Sequence, residues 1–185
     1  MTRAVVIVGT GRTVHDDLQK AALFEADYMA INCAGFLLPF VPFKHWVTWH
    51  ADFFEFWPLI RGLRYENSEP EPIDRIALHT GRQRRLWPSR LRWKPPTYWP
   101  ALDMPNSLPL AVNIALNGLE YDRALLAGCP VDGNGAFYLP SGMSRDGYGK
   151  AEGDSVLSLL ERFKGDGRVK SFSGRTRELF GEPEQ

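Results

Sequence analysis

Residues Ala4-Val5-Val6-Ile7-Val8 run straight into Gly9-Thr10-Gly11-Arg12-Thr13, and a helix-compatible stretch follows at once. A short β-branched strand that empties into a glycine-spaced, hydroxyl-bearing turn is how nucleotide-binding α/β domains begin. Glycines at 9 and 11 let the backbone turn sharply and bring its N–H groups near an anionic ligand. Thr13 is placed to cap the helix that follows. The third glycine of the dinucleotide fingerprint is missing, because His15-Asp16-Asp17 occupies that stretch, so a dinucleotide cofactor is disfavoured. Two readings stand: phosphate or nucleotide binding, and a tight strand-to-helix turn that binds nothing.

The rest of the chain alternates in the same way. Strand candidates at 3–9, 27–32, 44–49, 74–78, 122–127 and 167–172 are separated by helix candidates at 14–24, 51–62, 105–118 and 154–163. In the third helix Leu108, Val112, Ala115, Leu116 and Leu119 recur at helical spacing behind an Asn106-Ser107 cap. Alternation of this kind predicts one Rossmann-like, three-layer α/β domain over 1–180, a mostly parallel sheet flanked by helices, with 181–185 as a solvated tail. The full 185 residues suit a single domain that buries roughly 70% of its unfolded surface. Two stretches, 80–105 and 129–153, concentrate Pro, Gly, Trp and charge without either period. Both read as irregular functional loops.

Composition narrows the function classes. Lys plus Arg equals Asp plus Glu at 22 each, so bulk charge draws the chain neither to nucleic acid nor to a membrane surface. Cys33 and Cys129 lack CxxC spacing and read as small buried apolar residues of a reducing compartment. No run approaches 18 apolar residues, so a cytoplasmic protein without a membrane span is expected. No metal-ligand spacing stands out.

In open parallel sheets the ligand crevice lies outside the carboxyl ends of the strands, so the segments after each strand are read as one site. They are Gly9 to Thr13, Asn32-Cys33-Ala34-Gly35, Trp49-His50-Ala51-Asp52, and Gly128 through Tyr138. Asn32 either offers a donor and an acceptor to a ribose or base, or bonds its own backbone as a turn residue. His50 reads as a proton acceptor near neutral pH or as a histidine packed beside Trp46, Trp49 and Trp57. Asp52 reads as a ligand contact or as a helix-start carboxylate.

Lined up in this order, the motifs resemble the DUF115/MptE-like proteins and glycosyltransferase family 42, the lipooligosaccharide sialyltransferases. The likeness spans roughly residues 4–138 and lies in motif order. Arg12 and Thr13 stand where the family has Pro and Ser, His50 replaces an Asn, and Asn134-Gly135-Ala136-Phe137-Tyr138 matches an Asn-Gly-x-x-Tyr element. Pro130 stands where the family has Asp, and the histidines at 15, 45, 50 and 79 all precede the point where its catalytic base falls. The resemblance implies a nucleotide or nucleotide-sugar of CMP or UDP type. Gly9, Thr10, Gly11, Arg12, Thr13, Asn32, Asp52, Ser107, Gly128 and Asn134 are the residues expected at the nucleotide; the resemblance puts Tyr138 at the donor phosphate, and His50 is assigned the acceptor's proton because its unperturbed pKa lies near neutrality. Glycosyl or pyrophosphoryl transfer is the activity it implies, with the Tyr138 hydroxyl and the loop amides facing the leaving phosphate.

A second class of function comes from residues 82–94, where Arg82, Arg84, Arg85, Arg90, Arg92 and Lys94 interleave with Trp87 and Trp93. Charge plus stacking suits single-stranded nucleic acid or an acidic protein surface. On that reading the sheet is a non-catalytic scaffold, of phage or prophage origin and virion-associated, which binds a macromolecular partner. The plain alternative is a solvated loop. Self-association is compatible with either class.

Overall fold

In the computed structural model the description covers residues 2–38, 40–48, 74–78, 97–99, 106–138 and 150–184. The elements are β1 (Ala4–Val8), α1 (Val14–Ala21), β2 (Ala26–Ile31), α2 (Ala34–Leu37), β3 (Phe43–Thr48), β4 (Asp74–Leu78), β5 (Thr97–Trp99), α3 (Ser107–Asn113), β6 (Arg123–Ala127), α4 (Lys150–Leu160), β7 (Val169–Ser171) and α5 (Gly174–Phe180). The strands form one sheet in the order β5-β4-β3-β2-β1-β6-β7. Every pairing is parallel. Strand order therefore runs outward in both directions from β1, and the chain switches sides between β1 and β6.

The apolar β1 run follows from burial on both faces. Val5 and Ile7 join Met29, Val47 and Leu126 beneath α3 and α4. Val6 and Val8 join Ala30, Trp46 and Leu125 on the other face, with Val14 and Ala21 of α1 and Ala34 of α2. Each large side chain covered in this way contributes about 1.5–3 kcal/mol. The result is the three-layer, Rossmann-like α/β arrangement expected from the alternation.

Several boundaries differ from the sequence reading, each for a local reason. α1 ends at Ala21 rather than 24, because Leu23 and Phe24 fold back in turns onto Lys20 and Ala21. The helix expected over 105–118 is α3 followed by a wider π turn, Ile114–Gly118, in which the Leu119 N–H donates to the Ile114 carbonyl. The chain leaves this turn through Glu120 in the left-handed region, at φ 57°. α4 starts at Lys150, inside the stretch expected to be irregular. β5 lies inside the other such stretch. The helix expected over 51–62 and most of the basic 82–94 segment lie outside the described residues. Among the described residues no helix is long and apolar enough to cross a membrane.

One buried carboxylate ties the carboxyl edge of the sheet together. Asp17 on α1 is 2% exposed, and its Oδ2 accepts the Gly128 N–H at 2.8 Å, the Ser173 hydroxyl at 2.6 Å and the Thr13 hydroxyl at 2.9 Å. Thr13 therefore does not cap α1 as expected: its φ is already helical, at −81°, and its side chain makes no capping bond. Its hydroxyl serves Asp17 instead. Helix α1, the turn after β6 and the turn before α5 converge on a single oxygen atom.

The opposite edge carries a second polar cluster. Tyr121 donates to Asp27 Oδ2 at 2.5 Å and lies 2.9 Å from Nε2 of the buried His45. Lys44 pairs with Asp27 at 2.9 Å, and the Arg3 guanidinium lies over the Tyr121 ring at 4.6 Å. Burial raises the Asp27 carboxyl pKa, but the Tyr121 and Lys44 hydrogen bonds and the Lys44 charge together hold it below 3.8. Burial, with the Asp27 bond, pushes the Tyr121 phenol upward.

Three outcomes follow. Asp17→Ala leaves the buried Gly128 N–H unsatisfied and removes a charged acceptor, a loss of about 3 kcal/mol, read as a fall in the urea midpoint. Thr13→Ala, which removes one of three donors, costs about 1 kcal/mol by the same measurement. For Asp27 the folded-state pKa is depressed, so its contribution is complete above 3.8 and is lost as pH falls through the lower folded value. Thermal midpoints scanned downward from neutral pH therefore drop in that acid window, and the drop is shallower in Tyr121→Phe.

Candidate functional site

The topological switch between β1 and β6 opens a crevice outside the carboxyl ends of the strands, where such sheets bind ligands. Here the backbones on the two sides are in contact. Gly9 N–H donates to Ala127 O and Gly11 N–H to Gly128 O, both at 2.8 Å. A Cβ at Gly9 would stand 2.5 Å from Gly128 O, and one at Gly11 would stand 2.3 Å from Pro130 Cδ. Glycine is thus required at both positions by the close approach of a second backbone. Of the residue 9–13 N–H groups expected to face an anion, those of Gly9 and Gly11 are committed to carbonyls within the protein.

From this seam the chain forms a cleft of about 180 Å³. Thr10, Asn32, Asp132 and Tyr138 line its walls, and Gly153 and Val156 of α4 close one side. The segment after β6 is fixed from below: Phe137 N–H donates to Thr10 O at 2.8 Å, Arg175 N–H to Pro130 O at 2.9 Å, and Thr176 Oγ1 to Cys129 O at 2.8 Å. Val131 lies in the left-handed region at φ 51°, a strained position for a β-branched residue. A Cβ on Gly153 would come within 3.3 Å of the Val131 carbonyl.

Asn32 is held with unusual completeness. It is left-handed at φ 48°, and its carbonyl accepts Trp46 Nε1–H at 2.7 Å. Its Oδ1 accepts hydroxyl bonds from Thr48 at 2.9 Å and Ser107 at 2.8 Å. Its Nδ2 group has no partner among the described residues, while the residue lines the cleft. Thr10 is similar, since its N–H and hydroxyl have no partner among the described residues. These are hydrogen-bond donors set on rigid elements with capacity left for a ligand.

The remaining expected residues are distributed as follows. Gly9, Thr10, Gly11, Asn32, Gly128 and Tyr138 come together around the cleft. Ser107 is buried one bond behind Asn32. Thr13 is drawn to Asp17 and Ser173. Arg12 donates through Nε to the Asn134 carbonyl at 2.7 Å. Asn134 folds onto Asp132, its N–H and Nδ2 bonding the two carboxylate oxygens at 3.0 and 2.8 Å. His50 and Asp52 lie outside the described residues. The Tyr138 hydroxyl stands 4.0 Å from Cys33 Sγ. Cys129 is buried, and desolvation with the Asp17 charge pushes its thiol pKa far upward, so it stays protonated.

Sequence reasoning passed over Asp17, although it supports the whole edge. Its partners come from residues 13, 128 and 173, and no local pattern joins those positions. Val156 was also missed as a site residue, because helical periodicity marks it as a core position, while Gly153 fell in the 129–153 stretch read only as an irregular functional loop. Among the described residues no cluster of His, Cys, Asp or Glu is arranged to hold a metal ion. No protein-family model, no curated protein and no solved structure matches this chain.

Proposed function

We propose that the protein binds a nucleotide or nucleotide-sugar in the cleft at the β1–β6 switch point. The observation that carries this reading is the pairing of Thr10 and Asn32. Each belongs to a different strand end, each is fixed by the fold, and each keeps donor capacity where such sheets take their ligands. The order of the strand-end motifs, resembling glycosyltransferase family 42 and the DUF115/MptE-like proteins, supports the same ligand class. Glycosyl or pyrophosphoryl transfer is the extension of the proposal, and it rests on His50 as the proton acceptor.

The test is a calorimetric screen of the full chain against CMP, UDP, GDP, AMP and NAD. One of the CMP or UDP type gives saturable binding, and Asn32→Ala weakens it about tenfold, as expected for loss of one well-placed hydrogen bond to a ligand. Absence of binding by every nucleotide, with the variant folded and unchanged, refutes the proposal.

A further inference from the structure

Resting on the nucleotide reading above, we infer that the cleft recognises the ribonucleoside part of its ligand and leaves the phosphates outside. The inference starts from which groups are engaged. Two of the turn's N–H groups, those of Gly9 and Gly11, are donors to Ala127 O and Gly128 O, which reduces the donors the turn can offer a phosphate. The polar residues that line the cleft besides Asp132 are neutral, Thr10, Asn32, Asn106 and Tyr138, and the Thr10 N–H and hydroxyl and the Asn32 Nδ2 group have no partner among the described residues.

Among the described lining residues the one formal charge is the Asp132 carboxylate. Each of its oxygens accepts one bond from Asn134, which orients the group and leaves lone pairs for a further donor. A carboxylate repels a phosphate dianion and accepts a hydroxyl hydrogen. Neutral donors and an anionic acceptor among the lining residues match a sugar diol, which needs both. Size agrees: about 180 Å³ is below the ~300–1,000 Å³ that encloses a whole drug-sized ligand. One portion of a nucleotide enters, and the remainder lies beyond the rim.

The experiment is calorimetry on the full chain with two series, cytidine, CMP and CDP, and uridine, UMP and UDP, each at low and at physiological salt. The inference expects the nucleoside and its phosphates to bind within about threefold of one another, with little salt dependence. Asp132→Asn, at an exposed position, weakens the nucleoside about fivefold and shifts the ratio in favour of the monophosphate as the repulsion is removed. Phosphate-dependent binding, with CMP or UMP about tenfold or more tighter than the nucleoside and sharply weakened by salt, overturns the inference while the nucleotide proposal stands. Failure of every member of both series to bind overturns the two together.

Discussion

Everything at the carboxyl edge of this sheet depends on two backbones lying against each other. Gly9 and Gly11 on one side and Gly128 to Pro130 on the other approach so closely that no Cβ fits between them. Such a seam needs fixing from both ends. Asp17 supplies one end by holding the Gly128 N–H together with Thr13 and Ser173. The other end is held by Arg175 and Thr176, which bond the carbonyls of Pro130 and Cys129. A buried carboxylate is costly unless its lone pairs are filled, and here one oxygen receives three donors.

The cleft is the consequence of that seam. In the segment after β6, pinned against β1, Val131 takes a left-handed conformation. Asn32 takes one as well, stabilised by Trp46, Thr48 and Ser107. Both residues line the same opening. Strain of this kind collects at ligand sites, where surrounding contacts enforce it. The polar cluster of Asp27, Tyr121 and His45 at the opposite edge binds β2, β3 and the approach to β6 to one another.

The strands were legible because their pattern is physical. β1 and β6 are continuous apolar runs since both faces are covered, and β4 matches its expected limits of 74–78. β5 was not legible, because it is three residues long and has prolines 95, 96 and 100 around it. The end at Gly118 was legible, but the widening of the last turn to a π turn was not, because no residue spacing in Ile114–Gly118 marks it. Glycine spacing marked this turn, and in the structure it is close backbone packing, and not exposure of N–H groups, that requires Gly9 and Gly11. Thr13 was a hydroxyl before a helix and so resembled a cap. Only the fold shows that Asp17 claims it.

The central claim is that the β1–β6 seam is structural and that Thr10 and Asn32 beside it are the groups that meet a ligand. Amide-resolved NMR titration of the full chain with CMP tests it most directly. The account predicts large shifts at the Thr10 N–H and the Asn32 side-chain amide. It also predicts that the Gly9 and Gly11 N–H groups keep their hydrogen-bonded positions. Shifts centred on Gly9 and Gly11, or on the Asp27–Tyr121 edge, would contradict it.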